Sequence, residues 1–160
     1  MTARRSRRRT ASRRKTARRS PRKAARKPAR RKAAPRKAAA SLAALARKFV
    51  QATLDPAKFD AAALYTQDCV SIEGTGEVHR GHAGIRAKLA QWEAMQTGTK
   101  WKPRNVFTGR NLICIEWDAE VTLRDGRVVK LPEVAIHEIA GGKIARERYY
   151  YNPLAFTPSA

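Results

Sequence analysis

The residues best suited to move a proton are Asp118, Glu133 and His137, with Arg148, Tyr150 and Asn152 close behind them in the chain. Asp125-Gly126 lies between two alternating runs, LICIEWDAEVTL at 112–123 and residues 127–139. Such a pair reads as a two-residue hairpin turn. With those two residues as the turn, Asp118 faces Glu133 and Cys114 faces His137. One sheet face then carries Cys114, Glu116, Asp118, Glu120, Leu131, Glu133, Ala135, His137 and Ile139. A regular Gly141-Gly142 turn adds Arg146, Arg148, Tyr150 and Asn152 to it. The opposite face carries Ile113, Ile115, Trp117, Val121, Val134, Ile136, Tyr149 and Tyr151. A β-bulge would exchange part of these sets.

Paired carboxylates in a closed cavity raise one another's pKa, which is how a general acid exists near neutral pH. An imidazole such as His137 can shuttle a proton. The competing reading is an internal ion-pair network, Arg146 and Arg148 satisfying Glu133 and Asp118. Other chemistry has thinner support. His79 and His82, with Glu77 nearby, are spaced loosely for a metal site, and no metal is expected. Cys69 and Cys114 are too few for a disulfide scaffold and read as reduced and buried. No GxGxxG, Walker A or GxSxG pattern is present, so no cofactor is expected.

The elements that would position these residues begin at Ser41, a candidate N-cap followed by Leu42, Leu45 and Phe49 at helical spacing. Asp55-Pro56 starts a short second helix. A strand over 69–72, a loop, and a helix from His82 to Met95 come next. Strands over 104–108, 112–123, 127–139 and 143–151 then form an antiparallel meander. Helices covering one face of such a sheet give an α+β roll or cone.

Residues 1–40 are of another kind. They hold 19 of the chain's 35 Lys and Arg and no acid, whereas residues 41–160 hold 16 against all 13 Asp and Glu. The formal charge of +22 is therefore mostly the tail's. Met1 is its only large apolar side chain, so it has nothing to bury, and disorder is expected. No apolar run fits a secretory signal or a membrane span. Dense positive charge without aromatics points to sequence-blind binding of a polyanion, with no base stacking. The candidate contacts are Arg18, Arg19, Arg22, Lys23, Arg26, Lys27, Arg30, Arg31, Lys32, Arg36 and Lys37. A solubilising extension is the bland alternative.

Two resemblances sharpen these readings. The Ala/Lys/Arg/Pro-rich tail, with Ser20-Pro21-Arg22-Lys23, resembles linker-histone tails and bacterial histone-like proteins. That implies DNA or RNA as partner and a nucleoid location in the cytoplasm, or the nucleus in a eukaryote. LYTQDCVSI at 64–72, HRGHAGIRAKL at 79–89 and IHEIAGGKIARERYYYN at 136–152 resemble the SnoaL-like branch of the nuclear transport factor 2-like superfamily. This second resemblance covers 41–156, leaving 157–160 as a short extension, and it implies a cone-shaped fold. In that family the residues matching His137, Ile139 and Tyr150 line the cone's pocket, and the convex face often forms a homodimer. It would place Asp118, Glu133 and His137 as catalytic candidates and Arg148, Tyr150, Asn152, Tyr65 and Trp92 as ligand-pocket residues. Trp117, Val134, Ile136 and Tyr149 would lie between subunits. Catalytic members carry an aspartate where this chain has Asn152, and an amide cannot act as a base. Two functions follow. One is a DNA-associated protein whose domain dimerises and binds a small ligand. The other is an isomerase, hydrolase or cyclase of a small apolar metabolite.

Overall fold

The computed structural model describes the backbone of residues 34–157 and the side chains from Ser41 onward. The tail candidates from Arg18 to Lys32 therefore lie outside the described residues. Arg36 and Lys37 fall in the first described helix, outside the described side chains.

Helix α1 spans Ala34–Leu54. It starts earlier than the sequence predicts, so Ser41 sits inside the helix and does not cap it. Pro35 occupies the first turn, where the missing N–H costs no hydrogen bond. Leu42, Leu45, Ala46, Phe49 and Ala52 form one buried stripe along α1. Burying each large side chain of that stripe contributes about 1.5–3 kcal/mol, which holds the helix on the sheet.

Asp55 caps a 3-10 turn, Pro56–Lys58, and Asp60 caps the single-turn helix α2, Ala61–Leu64. Strand β1 (Tyr65–Ile72) and a short β2 (Val78–Arg80) lead into α3, Gly81–Met95. The rest is β3 (Gln96–Gly109), β4 (Leu112–Leu123), β5 (Val128–Ala140) and β6 (Lys143–Tyr150), closed by a 3-10 turn at Pro153–Phe156. Strand order is β2-β1-β6-β5-β4-β3. Only β1 and β6 run parallel; the other pairs are antiparallel. The fold is an α+β cone: a curved six-stranded sheet whose concave face is covered by α1 and α3.

Two local events set which side chains enter the concave face. The β4–β5 loop has three residues, Arg124-Asp125-Gly126. The Gly126 amide bonds the Leu123 carbonyl at 3.0 Å, and Leu123 pairs with Arg127. Gly126 takes φ +85°, the left-handed residue that ends a three-residue hairpin loop. Pairing therefore shifts by one from the sequence expectation: Trp117 opposes Glu133, Ile113 opposes His137, and Asp118 opposes Pro132. In β6, Ile139 pairs with Ile144 but Glu138 pairs with Arg146, so a bulge at Ala145 inserts one residue. His137 consequently faces Glu147, and Ala135 faces Tyr149.

These shifts correct the expected faces. Ile113, Ile115, Trp117, Glu133, Ala135, His137, Glu147 and Tyr149 are all on the covered face. Cys114, Glu116, Asp118, Arg146, Arg148 and Tyr150 are on the convex one. Trp117, 1% exposed, is core and not a subunit contact.

Candidate functional site

A cavity of about 800 Å3 lies between α1, α3 and the concave sheet face. Its wall is mainly aromatic and aliphatic. Trp92 meets Trp101 at a tilt, 5.8 Å between ring centroids, and Trp101 meets Trp117 edge-on at 5.6 Å. Phe156 of the last turn meets the Trp92 and Tyr151 rings edge-on, at 6.3 and 6.1 Å. Phe49, Phe59 and Leu131 complete much of the apolar lining.

Helix α3 contributes the polar end. Ile85, Lys88, Leu89 and Trp92 share its inward stripe, so the Lys88 ammonium is delivered among apolar neighbours. It donates to Ser71 Oγ and Glu147 Oε1, each at 3.0 Å, and lies 3.0 Å from Glu73 Oε1. Its Nζ also sits 3.8 Å from the centroid of the Tyr149 ring, a cation–π contact. Glu147, 1% exposed, receives the Tyr65 hydroxyl at 2.9 Å on Oε2, and His137 Nδ1 lies 3.2 Å from that oxygen. Tyr151 donates to Glu73 at 3.3 Å.

Burial alone would push the Glu147 carboxyl up. Lys88 beside it, helped by His137 and Ser71, outweighs that and holds it well below the usual carboxylate range. Lys88 is the mirror case: burial lowers it, but Glu147 and Glu73 more than compensate and raise it. Tyr65 and Tyr149 are both raised well above 10, first by burial and then by the Glu147 charge. The cluster is a fixed ion-pair network. Its lysine stays charged, so it is not a nucleophile.

Glu133 differs. It is 7% exposed, lines the cavity, and makes no ion pair among the described residues. Burial raises its carboxyl to about 8; the Lys88 charge opposes this, while Glu73 and Glu147 add to the rise. A carboxyl raised this far toward neutrality, facing a largely apolar space, is the arrangement a general acid or base needs.

The sequence-predicted residues divide accordingly. Glu133, Tyr65 and Trp92 line the cavity. His137 is fully buried behind it, packed on Phe49 at 4.3 Å, and is not among the lining side chains. Asp118 is on the convex face beside Arg104 at 3.5 Å, so the expected Asp118–Glu133 pair does not form. Arg148 pairs with Glu138 at 2.7 Å on the same outer face, and Tyr150 is exposed there. Among the described residues neither Arg146 nor Arg148 pairs with Glu133 or Asp118. Asn152 accepts the Leu154 amide and caps the last turn. Cys69 is buried and Cys114 half-buried, both free thiols. No cluster of three or more metal-ligating side chains occurs among the described residues. Their helices include none long and apolar enough to cross a membrane.

Sequence reasoning missed Glu73, Lys88, Glu147, Tyr149 and Tyr151. One signal for Lys88 was available: it is the charged residue inside the apolar stripe Ile85, Leu89, Trp92. Glu147, Tyr149 and Tyr151 were assigned to the wrong faces or passed over because the bulge at Ala145 is silent in the sequence.

A family model described as a SnoaL-like domain matches residues 40–147. No curated protein matches the chain. Among solved structures, TerC co-crystallised with polyporic acid superposes with a TM-score of 0.64 at 21% identity, over 72% of this chain and 95% of that one. An NTF2-like protein of unknown function from Mesorhizobium loti gives 0.58 at 22% identity, over 71% and 93%. A protein of ketosteroid isomerase-like fold from Catenulispora acidiphila, in complex with trimethylamine, gives 0.61 at 15% identity, over 69% and 87%.

Proposed function

The chain belongs to the SnoaL-like domain family, and from that premise we propose that its folded part binds a small, largely apolar organic molecule and moves a proton on it through Glu133. The reaction class is that of an isomerase, hydrolase or cyclase. One observation carries this reading: a carboxyl raised to about 8 faces an aromatic-walled cavity without an ion-pair partner. Such a group donates a hydrogen bond to a substrate oxygen in its acid form and accepts a carbon-bound proton in its ionised form. Lys88, Glu147 and Tyr65 position the cavity's polar end by fixing its charges before substrate arrives. His137 acts through Glu147 and does not reach substrate. Two similar structures hold polyporic acid and trimethylamine. These are an acid and an amine, so they do not fix the charge of a ligand for this chain.

The test is proton exchange. An aromatic ketone such as 2-tetralone in D2O should exchange its α-hydrogens faster with the protein, followed by NMR. Glu133→Gln should lower that catalysed rate by a factor of about 100 or more, the usual weight of a general acid–base. Exchange equal in both proteins would end the assignment of Glu133.

A second reading concerns the tail and rests on its 19 basic residues without an acid. Arg18 through Lys37 bind duplex nucleic acid through phosphate contacts alone. Duplex affinity should fall steeply with salt and disappear when residues 1–33 are removed. Retained affinity after that deletion defeats it. The convex face supports a homodimer: Phe107, Leu112 and Tyr150 are exposed there beside Val134 and Ile136.

A further inference from the structure

The charged side chains around the cavity are unequal in sign. Glu73, Glu77, Glu93 and Glu133 line it against a single lysine, Lys88, with no arginine. This acidity stands out in a chain whose formal charge is +22. Lys88 is also fully engaged by Ser71, Glu73 and Glu147. The buried end therefore holds three carboxyl groups in mutual electrostatic range, Glu73, Glu133 and Glu147, served by one ammonium and, at Glu147, by the His137 imidazole. A further lining group, His79, is 7% exposed, and its Nε2 has no hydrogen-bond partner; Glu77 Oε1 lies 3.5 Å away.

We propose that the cavity is selective for a small organic cation, a substituted ammonium bearing an apolar or aromatic group. The proposal rests on the cavity being a ligand site, as the preceding reading holds, and it adds the ligand's charge class. The aromatic wall suits such a cation twice over. Trp92, Trp101 and Trp117 offer apolar surface to its hydrocarbon part and π-faces to the charge. Burial in a low-dielectric site makes added positive charge worth supplying, because a cation beside Glu133 favours its ionised form. An anionic ligand would meet Glu73 and Glu147 with no free cation to receive it.

The charged and titratable groups facing Glu133 come from three places in the fold. Lys88 is on α3, Glu73 follows β1, and Glu147 with Tyr149 is on β6. Binding of an ammonium ion replaces the proton on Glu133: the O–H bond breaks, the proton goes to solvent, and the carboxylate pairs with the ligand nitrogen. No redox partner is needed.

All three tryptophans of the chain line the cavity, so intrinsic fluorescence reports occupancy directly. The probe is benzyltrimethylammonium, compared with its neutral carbon isostere neopentylbenzene and with 2-naphthol. At about pH 7 the ammonium should bind at least tenfold tighter than its isostere. Calorimetry in buffers of different ionisation enthalpy should show release of close to one proton per ligand. Glu133→Gln should abolish both the proton release and the preference. Equal affinity of the two isosteres, or no proton release, overturns the cation assignment even where 2-naphthol binds and the ligand-site reading stands. If none of the three probes alters the fluorescence, the cavity is no ligand site and both readings fall together.

Discussion

Replacing Glu133 by Gln should change how stability depends on pH, and the size of the change follows from its surroundings. The folded carboxyl sits at about 8 against an ordinary 4.5. At ~1.4 kcal/mol for each pH unit, ionising it in place costs ~5 kcal/mol more than in the unfolded chain. The value is raised, so the group's contribution is fully present below 4.5 and is lost as pH rises through about 8. Between about pH 6 and pH 9 the loss amounts to ~3 kcal/mol. Gln has nearly the same shape and no charge to bury. The variant should therefore keep its stability over that range while the parent loses it.

For a domain of this length ~1 kcal/mol moves Tm by about 3–6 °C, so the two melting curves should separate by ~10 °C as pH climbs. The assay is urea or thermal unfolding of both proteins at closely spaced pH values. Taking the difference between them cancels what Glu147, Lys88 and the tyrosines contribute to each. A difference that stays flat within ~0.5 kcal/mol from pH 6 to pH 9 would show that Glu133 is ionised or solvated in the folded protein. The acid–base role proposed for it would go with that result.

Three further outcomes follow from the same geometry. Lys88→Met leaves Glu147 buried without its cation and should cost about 3–5 kcal/mol in urea unfolding; a loss below ~1 kcal/mol would mean that the network is hydrated. Gly126→Ala should cost about 1–2 kcal/mol, since Gly126 holds φ +85° and a Cβ there meets nothing within 4 Å. Because the space is open, the penalty is one of backbone conformation, and Gly126→Asn should recover part of it. Phe107→Glu, placed on a residue 61% exposed on the convex face, should convert a dimer to monomer in sedimentation velocity without moving Tm of the monomer. An unchanged mass would show that this face is not an interface.

The sequence reveals the elements far better than it reveals the site. Leu42, Leu45, Phe49 and Ala52 mark α1 by spacing alone, because a helix buries one stripe. Ile85, Leu89 and Trp92 do the same for α3. Alternation marks β4 and β5 because one sheet face is covered and the other is not. What alternation cannot supply is the pairing register, and a slip of one residue turns a whole strand over. Asp125-Gly126 fits a two-residue loop and a three-residue loop equally well as a sequence. Glycine in the left-handed region satisfies either, and only packing of the sheet face beneath the helices chooses.

That choice, with the bulge at Ala145, accounts for the difference between the expected site and the observed one. The three-residue loop takes Asp118 out of the concave face and puts Trp117 in. The bulge takes out Arg148 and Tyr150 and puts in Glu147, Tyr149 and Tyr151. The first slip exchanges an exposed carboxylate for an indole that the helices cover, whereas the second buries the Glu147 carboxylate, whose desolvation Lys88, His137 and Ser71 offset. Glu133 and His137 reach the concave face on either pairing, because β5 is the strand both loops are counted from. Their partners did change: a carboxylate expected opposite Glu133 is replaced by the Trp117 indole, and the ion pairs expected for it go elsewhere. Loss of those partners is what leaves Glu133 buried, its carboxyl raised, and facing the cavity. The same one-residue slip that defeats the sequence expectation therefore leaves Glu133 as the buried cavity carboxyl with a raised pKa.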